Sequence, residues 1–119
     1  MLQRIVALAI LGLVLAGCSV QLKTGPAPIS ACDDALASGR LVSNAQSGLA
    51  LEAIDRSIVP VLWPHGYTAR RGLSGIELLD SGGAVLAREG DFITAGGGTG
   101  NDGFFAACPA SVKVVPPPD

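Results

Sequence analysis

The chain carries a single histidine, His65, whose ring could take part in acid–base or metal chemistry. It lies in the segment WPHGY at 63–67, which also holds the only tryptophan and the only tyrosine. As a general base, His65 would need a positioned nucleophile, and as a metal ligand it would need two or three partners. There is no second histidine to supply one. The favoured interpretation is a turn at the surface of the protein.

Trp63 and Tyr67 flank this turn and allow two interpretations. Both rings are large enough to plug one end of a small β-domain, which is the favoured prediction. Alternatively, the two rings and His65 form an exposed candidate binding patch. The exposure of the two rings in the folded chain distinguishes these interpretations.

Several acids follow this turn and suggest a second kind of chemistry. Those that lie on or near predicted hairpins are Glu77, Asp80, Glu89 and Asp91. A hydrolase would need two of them about 5 to 10 Å apart in a cleft. The favoured prediction is that they are charges on the solvent face of short strands. The basic residues able to pair with them across strands are Arg70, Arg71 and Arg88.

The glycine-rich stretch GGGTGNDGFF at 96–105 matches parts of two ligand-binding motifs. Its glycine spacing is that of a dinucleotide-binding turn, but such a turn leads into a helix, and FFAACP follows here. Residues 97–104 also fit one copy of a calcium-binding nonapeptide, with Asp102 as a ligand. A single copy lacks half of the ligands. A flexible loop between two strands is therefore favoured, and calcium binding through 97–104 is an alternative.

Three cysteines, Cys18, Cys32 and Cys108, cannot all pair within the chain. The first follows a segment organised like a secretory signal peptide, with one positive charge in 1–4 and twelve apolar residues at 5–16. That run is shorter than the ~20 residues of a spanning helix. It ends in the sequence LAGC, which resembles the lipobox of bacterial lipoproteins.

The resemblance to bacterial lipoproteins implies that the Cys18 thiol receives a diacylglycerol carrying fatty acids such as palmitate. A peptidase then cuts before this cysteine, which becomes the mature N-terminus. Two acyl chains suffice for stable anchoring. In this family, Ser19 in place of aspartate permits sorting to an outer membrane. The expected location is the cell envelope, on the outer membrane or the outer face of the cytoplasmic membrane.

If Cys18 is acylated, Cys32 and Cys108 remain, and export permits a disulfide between them. Metal binding by two isolated cysteines is the weaker interpretation. The bridge would enclose most of the mature chain and contribute ~4 kcal/mol in the chain-entropy model. A domain of this size is only marginally stable on its core alone, so this contribution matters.

The elements that position these residues are predicted to be mainly strands. SACDDALASG at 30–39 is the one helix candidate of the body, because Ser30 can cap it and Gly39 can end it. Apolar segments then alternate with turn residues, and SGG at 81–83 marks the clearest hairpin. About seven short strands and one short helix, preceded by the signal-peptide helix, favour a small closed barrel or a two-layer sandwich.

Composition divides the chain into four parts. They are a lipoprotein signal peptide at 1–17, a flexible tether at 18–30, a β-rich globular domain at 31–115 and a proline-rich tail at 116–119. The segments WPHGYTAR and GIELLDSGGAVLAREGD, with a later GGG and a closing cysteine, loosely resemble small exported bacterial β-domain proteins of unknown function. This resemblance implies an extracytoplasmic β-domain and supplies no catalytic residue.

The charge balance of the mature chain points to no particular partner. Loss of Arg4 leaves seven basic and ten acidic residues, a net charge of −3, without the basic stripe of a nucleic-acid-binding protein. We predict no cofactor. We expect a non-enzymatic module, anchored through Cys18, that binds an envelope protein or a small ligand or serves an envelope assembly. A small envelope hydrolase using His65 or the scattered acids is the alternative, besides the calcium-dependent module.

Overall fold

The computed structural model describes residues 19–26 and 32–118, and every regular element within these ranges is a β-strand. The strands are β1 Ser19–Val20, β2 Ala35–Asn44, β3 Gly48–Glu52, β4 Ile58–Leu62, β5 Thr68–Gly72, β6 Gly75–Leu79, β7 Val85–Arg88, β8 Phe92–Thr99, β9 Phe105–Ala107 and β10 Lys113–Val114. The prediction of a mainly β fold is confirmed. The predicted signal-peptide helix lies outside the described residues.

Five strands, β2, β3, β4, β9 and β8, close into a barrel. They belong to a six-stranded sheet of the order β10-β8-β2-β3-β4-β9, which closes because β8 also pairs with β9. Barrel neighbours are antiparallel except β4 and β9, which run parallel. This strand order with its single parallel pair is the connectivity of the OB fold, a Greek-key barrel. The closed barrel, one of the two predicted architectures, is therefore the one the chain adopts.

A second sheet packs on the barrel and has the order β1-β5-β6-β7. Its strands β5, β6 and β7 lie between β4 and β8 in the chain, whereas β1 precedes β2. The hydrophobic residues of this sheet join the same core as those of the barrel. Fully buried side chains of this common core are Leu41, Leu49, Leu51, Val61, Trp63, Leu78 and Ile93. Burial of each large apolar side chain stabilises the fold by roughly 1.5–3 kcal/mol, so one core unites the two sheets.

The long strand β2 pairs with a different neighbour along each of its two halves. Residues 35–40 pair with β8, and residues 40–44 pair with β3. Gly39 lies where the pairing changes, and a Cβ there would approach the carbonyl oxygen of Glu52 to 2.7 Å. Such a contact is too close for any side chain, so glycine permits the close approach of the two strands.

The predicted helix at 30–39 is wrong in its second half, which belongs to β2. Capping residues suggested a helix, but the side chains follow the period of two that is typical of a strand. Gly39 and Leu41 are buried, whereas Ser38 and Arg40 are exposed. Pairing with β8 decides the conformation here, because it satisfies the backbone of this segment over six residue pairs.

The flexible tether predicted at 18–30 is wrong over residues 19–26, which pair with the body. β1 pairs with β5. The N–H of Lys23 donates to the Ser47 carbonyl oxygen at 3.1 Å, and the N–H of Trp63 donates to the Lys23 carbonyl oxygen at 3.0 Å. The apolar residues of this segment that pack against the core are Val20 and Leu22. The folded body therefore includes residues 19–26.

The predicted disulfide between Cys32 and Cys108 is confirmed, with 5.9 Å between the two Cα atoms. It joins the chain just before β2 to the chain just after β9. Near the C-terminus of the chain, the N–H of Val115 donates to the Phe92 carbonyl oxygen at 2.9 Å. Residues 116–118 of the predicted proline-rich tail follow without regular structure.

Candidate functional site

An apolar cleft of about 470 Å³ lies where β4 ends. Its lining includes all of residues 63–67, together with Leu62 and Ala106 from the parallel strands β4 and β9. Ser81 and Pro109 contribute from two turns. Small-ligand sites are typically mostly apolar clefts of ≈ 300–1,000 Å³ with a few polar groups. The cleft therefore has the size and chemistry of such a site.

Trp63 forms part of the cleft wall but belongs to the core. It is fully buried, and its indole N–H donates to the Leu49 carbonyl oxygen at 2.9 Å. Tyr67 is also buried, and the N–H of Ala110 donates to its hydroxyl oxygen at 3.4 Å. Both rings therefore belong to the core rather than to an exposed patch. Of the candidate patch, His65 alone is exposed.

A tight turn presents His65 at the surface. Pro64 has no N–H and ends the strand pairing of β4. The N–H of Tyr67 donates to the Pro64 carbonyl oxygen at 3.1 Å, and Gly66 has the positive φ of 85° that such a turn requires. The Nδ1 atom of His65 lies 3.2 Å from the Gly25 carbonyl oxygen. When Nδ1–H donates in this bond, Nε2 is an acceptor facing away from it.

Glu77 is held by arginines on both sides and does not line the apolar cleft. Arg70 and Arg88 lie opposite it on the neighbouring strands. Their Nε–H groups donate to its two oxygens at 2.9 and 3.0 Å. The hydrogen bond from Arg70 has the larger effect and that from Arg88 the next, and together they hold the pKa of the Glu77 carboxyl below its usual range. The predicted pairing across strands is confirmed for Arg70 and Arg88.

The other three acids serve the backbone around β6 and β7. The Oδ1 atom of Asp80 accepts the N–H groups of Gly82 and Ala84, which closes the predicted hairpin turn. The carboxylates of Glu89 and Asp91 each accept a further backbone N–H. None of these acids is among the described residues that line the apolar cleft. The geometry thus gives no support to a hydrolase site that combines His65 with two acids.

The glycine-rich stretch is largely strand and tight turn. Residues 96–99 belong to β8, so the flexible loop predicted across 96–105 is wrong in this part. The N–H of Gly100 donates to the Phe104 carbonyl oxygen, and the N–H of Phe104 donates to Asp102 Oδ1 at 3.0 Å. Asp102 is thus used within its own turn. Residues 19–26 and 32–118 hold no group of three His, Cys, Asp or Glu residues placed to bind a metal.

A polar groove of about 580 Å³, which the sequence did not reveal, lies between the N-terminal segment and the β2–β3 turn. Lys23 and Arg71 both line it, together with Asn44 and Gln46. Its described lining contains two cations and no acid. The groove depends on the pairing of residues 19–26 with the body. It could not be predicted while these residues were expected to form a flexible tether.

Cys18 lies outside the described residues, so its lipidation stays a prediction. In the described part of the chain, no helix is long and apolar enough to cross a membrane. Comparison of the chain with models of known protein families, with curated proteins and with solved structures found no match. The function is therefore inferred from the residues and their geometry.

Proposed function

We propose that the chain is a lipid-anchored extracytoplasmic β-domain that acts as a binding module of the bacterial cell envelope. The motif LAGC at 15–18, at the end of an uncharged apolar run, carries the anchoring part of this proposal. The acyl chains of Cys18 hold the domain on the membrane. The disulfide between Cys32 and Cys108 agrees with an exported protein.

The apolar cleft supports the binding part of the proposal. A buried aromatic wall at Trp63 gives it a fixed shape, and Ala106 and Ala107 leave it open on the β9 side. His65 supplies an exposed hydrogen-bonding group at the same cleft. A small, mostly apolar ligand with one polar group matches this combination. His65 has the role of orienting the ligand, and no chemical step is assigned to it.

Fatty-acid labelling combined with mass spectrometry of the mature N-terminus tests the anchoring. Wild-type protein should incorporate the label and begin at an acylated Cys18, and Cys18→Ala should do neither. Ser19→Ala is the matched control, since it changes the neighbouring residue and keeps the cysteine. Membrane fractionation is a poor readout, because an uncut apolar run can retain the Cys18→Ala protein. A wild-type chain that begins elsewhere, or carries an unmodified Cys18, would contradict the proposal.

Titration with benzyl alcohol, a small apolar probe with one hydroxyl group, tests the cleft. In acylated protein with labelled alanine methyl groups, the NMR signals of Ala106 and Ala107 should shift and saturate, while that of Ala45 stays constant. Ala106→Leu should abolish the shift of Ala107 by filling the cleft. Ala45→Leu adds the same volume at an exposed turn and should preserve it. Equal, non-saturating shifts at all three alanines would argue against a binding cleft.

A further inference from the structure

The pairing of β1 fixes which end of the second sheet lies next to the predicted anchor. Ser19 pairs with Arg70 and Val20 pairs with Ala69 in antiparallel register. The N-terminal end of β1 therefore points towards the turn between β5 and β6. Cys18 is bonded to Ser19, and consecutive Cα atoms are about 3.8 Å apart. Leu73 in the turn is three residues beyond Arg70, or about 10 Å at the rise of a strand.

The turn between β5 and β6 presents an apolar side chain at its apex. Gly72 and Gly75 pair with each other, so Leu73 and Ser74 form a two-residue turn. Leu73 is fully exposed. Turn positions favour glycine, asparagine, aspartate or serine, and no contact of the fold requires leucine here. A single exposed leucine is unremarkable by itself, so its meaning depends on the groups around it.

Three arginines lie on the strands next to this apolar apex. Arg70 and Arg88 flank Glu77 in a row that continues the Ser19–Arg70 pair across the sheet. Their side chains remain more than half exposed, although both contact Glu77. Arg71 is one residue nearer the turn, is exposed, and lines the polar groove. Glu77 pairs with Arg70 and Arg88, and Glu89 lies beside Gly75. Arg71 takes part in neither ion pair of the described residues, and an exposed leucine next to such a cation has the chemistry of a surface that meets anionic lipid headgroups.

We propose that the β5–β6 hairpin tip, residues 71–75, is a second membrane contact. Leu73 enters the headgroup region of the bilayer, and the arginines behind it face anionic headgroups. Ser19, which follows Cys18, and the tip lie at one end of the same sheet, so the folded body docks through this sheet on the membrane that holds the acyl chains of Cys18. This inference rests on the proposed lipid anchoring, which brings the tip to the bilayer surface.

A fluorescent probe at the tip tests the contact. In the full acylated protein, Leu73→Cys provides one free thiol for an environment-sensitive nitrobenzoxadiazole label, because Cys18 is acylated and the other two cysteines are bridged. The protein is placed in phosphatidylethanolamine–phosphatidylglycerol vesicles. The label should emit at shorter wavelength than in water and lose intensity when spin-labelled lipid is added. Replacing phosphatidylglycerol with neutral lipid, or adding Arg71→Glu, should reduce both effects.

Ile54→Cys with the same label is the matched control. Ile54 is also apolar and exposed, but it lies in the β3–β4 turn, at the opposite end of β3 from the turn that lines the polar groove with Arg71. Its label should keep the emission it has in water and escape quenching. Equal quenching at Ile54 and Leu73 would overturn a contact specific to the hairpin tip.

The outcomes separate this inference from the proposed function. If mass spectrometry shows acylated Cys18 and the Leu73 label still emits as in water, the anchor stands and the tip contact fails. If the label emits as in water on vesicles and shifts to shorter wavelength only after envelope proteins are added, the tip contacts a protein partner. That outcome likewise overturns the lipid contact. If Cys18 carries no acyl chains, the proposed anchoring fails first, and the inference fails with it.

Discussion

The indole N–H of Trp63 donates a 2.9 Å hydrogen bond to the carbonyl oxygen of Leu49 inside the barrel. The same oxygen accepts the hydroxyl of Ser47 at 2.7 Å. All three residues are buried, so both acceptor positions of this carbonyl are used where no solvent could replace them. The only tryptophan of the chain thus joins β3 to the end of β4 while it forms a wall of the apolar cleft.

Replacement of this tryptophan should weaken the fold. Trp63→Phe removes the indole donor and leaves a cavity, and we expect a loss of about 2–4 kcal/mol in the free energy of unfolding. Urea unfolding followed by far-ultraviolet circular dichroism measures it, since the variant lacks tryptophan fluorescence. Leu73→Ala, at a fully exposed position, should stay within about 0.5 kcal/mol of wild type. Equal unfolding midpoints for Trp63→Phe and wild type would contradict the structural role.

The disulfide should contribute a large part of the stability. Cys32 and Cys108 are 76 residues apart in sequence, and closing such a loop restricts the unfolded chain by about 4 kcal/mol in the chain-entropy model. The double variant Cys32→Ser with Cys108→Ser should lose a comparable amount. Reduced wild type should match the double variant, because both lack the same bond. Free thiols at these cysteines in unreduced, exported protein would contradict the bridge.

Glu77 should make the stability depend on acidic pH. Hydrogen bonds from Arg70 and Arg88 lower the pKa of its carboxyl in the folded state. Stabilisation from such a group is complete above its unfolded pKa of about 4.3 and is lost as the pH falls through the lower folded-state pKa. Glu77→Gln should therefore be less stable than wild type at neutral pH, and the difference should shrink on acidification.

Thermal unfolding at a series of pH values measures this effect. Asp34→Asn is the control, because Asp34 is exposed and takes part in neither ion pair of the described residues. Its difference from wild type should be small at every pH. A constant difference between Glu77→Gln and wild type down to the acidic limit would show that the carboxylate charge contributes nothing.

Local signals in the sequence account for the parts of the fold that were predicted. The hairpin at 81–83 is specified by Asp80 and two glycines, whose turn chemistry needs no distant partner. The turn at 63–67 likewise follows from Pro64 and Gly66. The disulfide could be predicted because the assignment of Cys18 to acylation left two cysteines to pair. The fold brings these two, Cys32 and Cys108, together.

The parts that were missed depend on pairing over long distances in sequence. The first half of β2 is a strand because β8, more than fifty residues later, pairs with it. β1 has only two residues and is a strand because β5 lies beside it. Closure of the barrel needs the parallel pair of β4 and β9, which no turn specifies. The polar groove and the β9 side of the apolar cleft, formed by Ala106 and Ala107, follow from these pairings, so the sequence alone did not show them.

The packing of residues 19–26 on the body should depend on the absence of a side chain at Gly48. This glycine has a φ of 80°, and a Cβ there would collide with the carbonyl oxygen of Gln21. Gly48→Ala should therefore push the N-terminal segment away from the β2–β3 turn. Hydrogen exchange at the Lys23 amide, which donates to the Ser47 carbonyl oxygen, should become faster.

Gly83→Ala separates this collision from the cost of a left-handed backbone. Gly83 has a φ of 87°, close to that of Gly48, but a Cβ there would meet nothing within 4 Å. Both variants therefore bear a similar conformational penalty of about 1 kcal/mol, and Gly48→Ala alone disturbs residues 21 and 22. Exchange at Lys23 should rise in Gly48→Ala and stay at the wild-type rate in Gly83→Ala. Equal rates in the two variants would mean that the close approach at Gly48 is not needed to hold the N-terminal segment on the body.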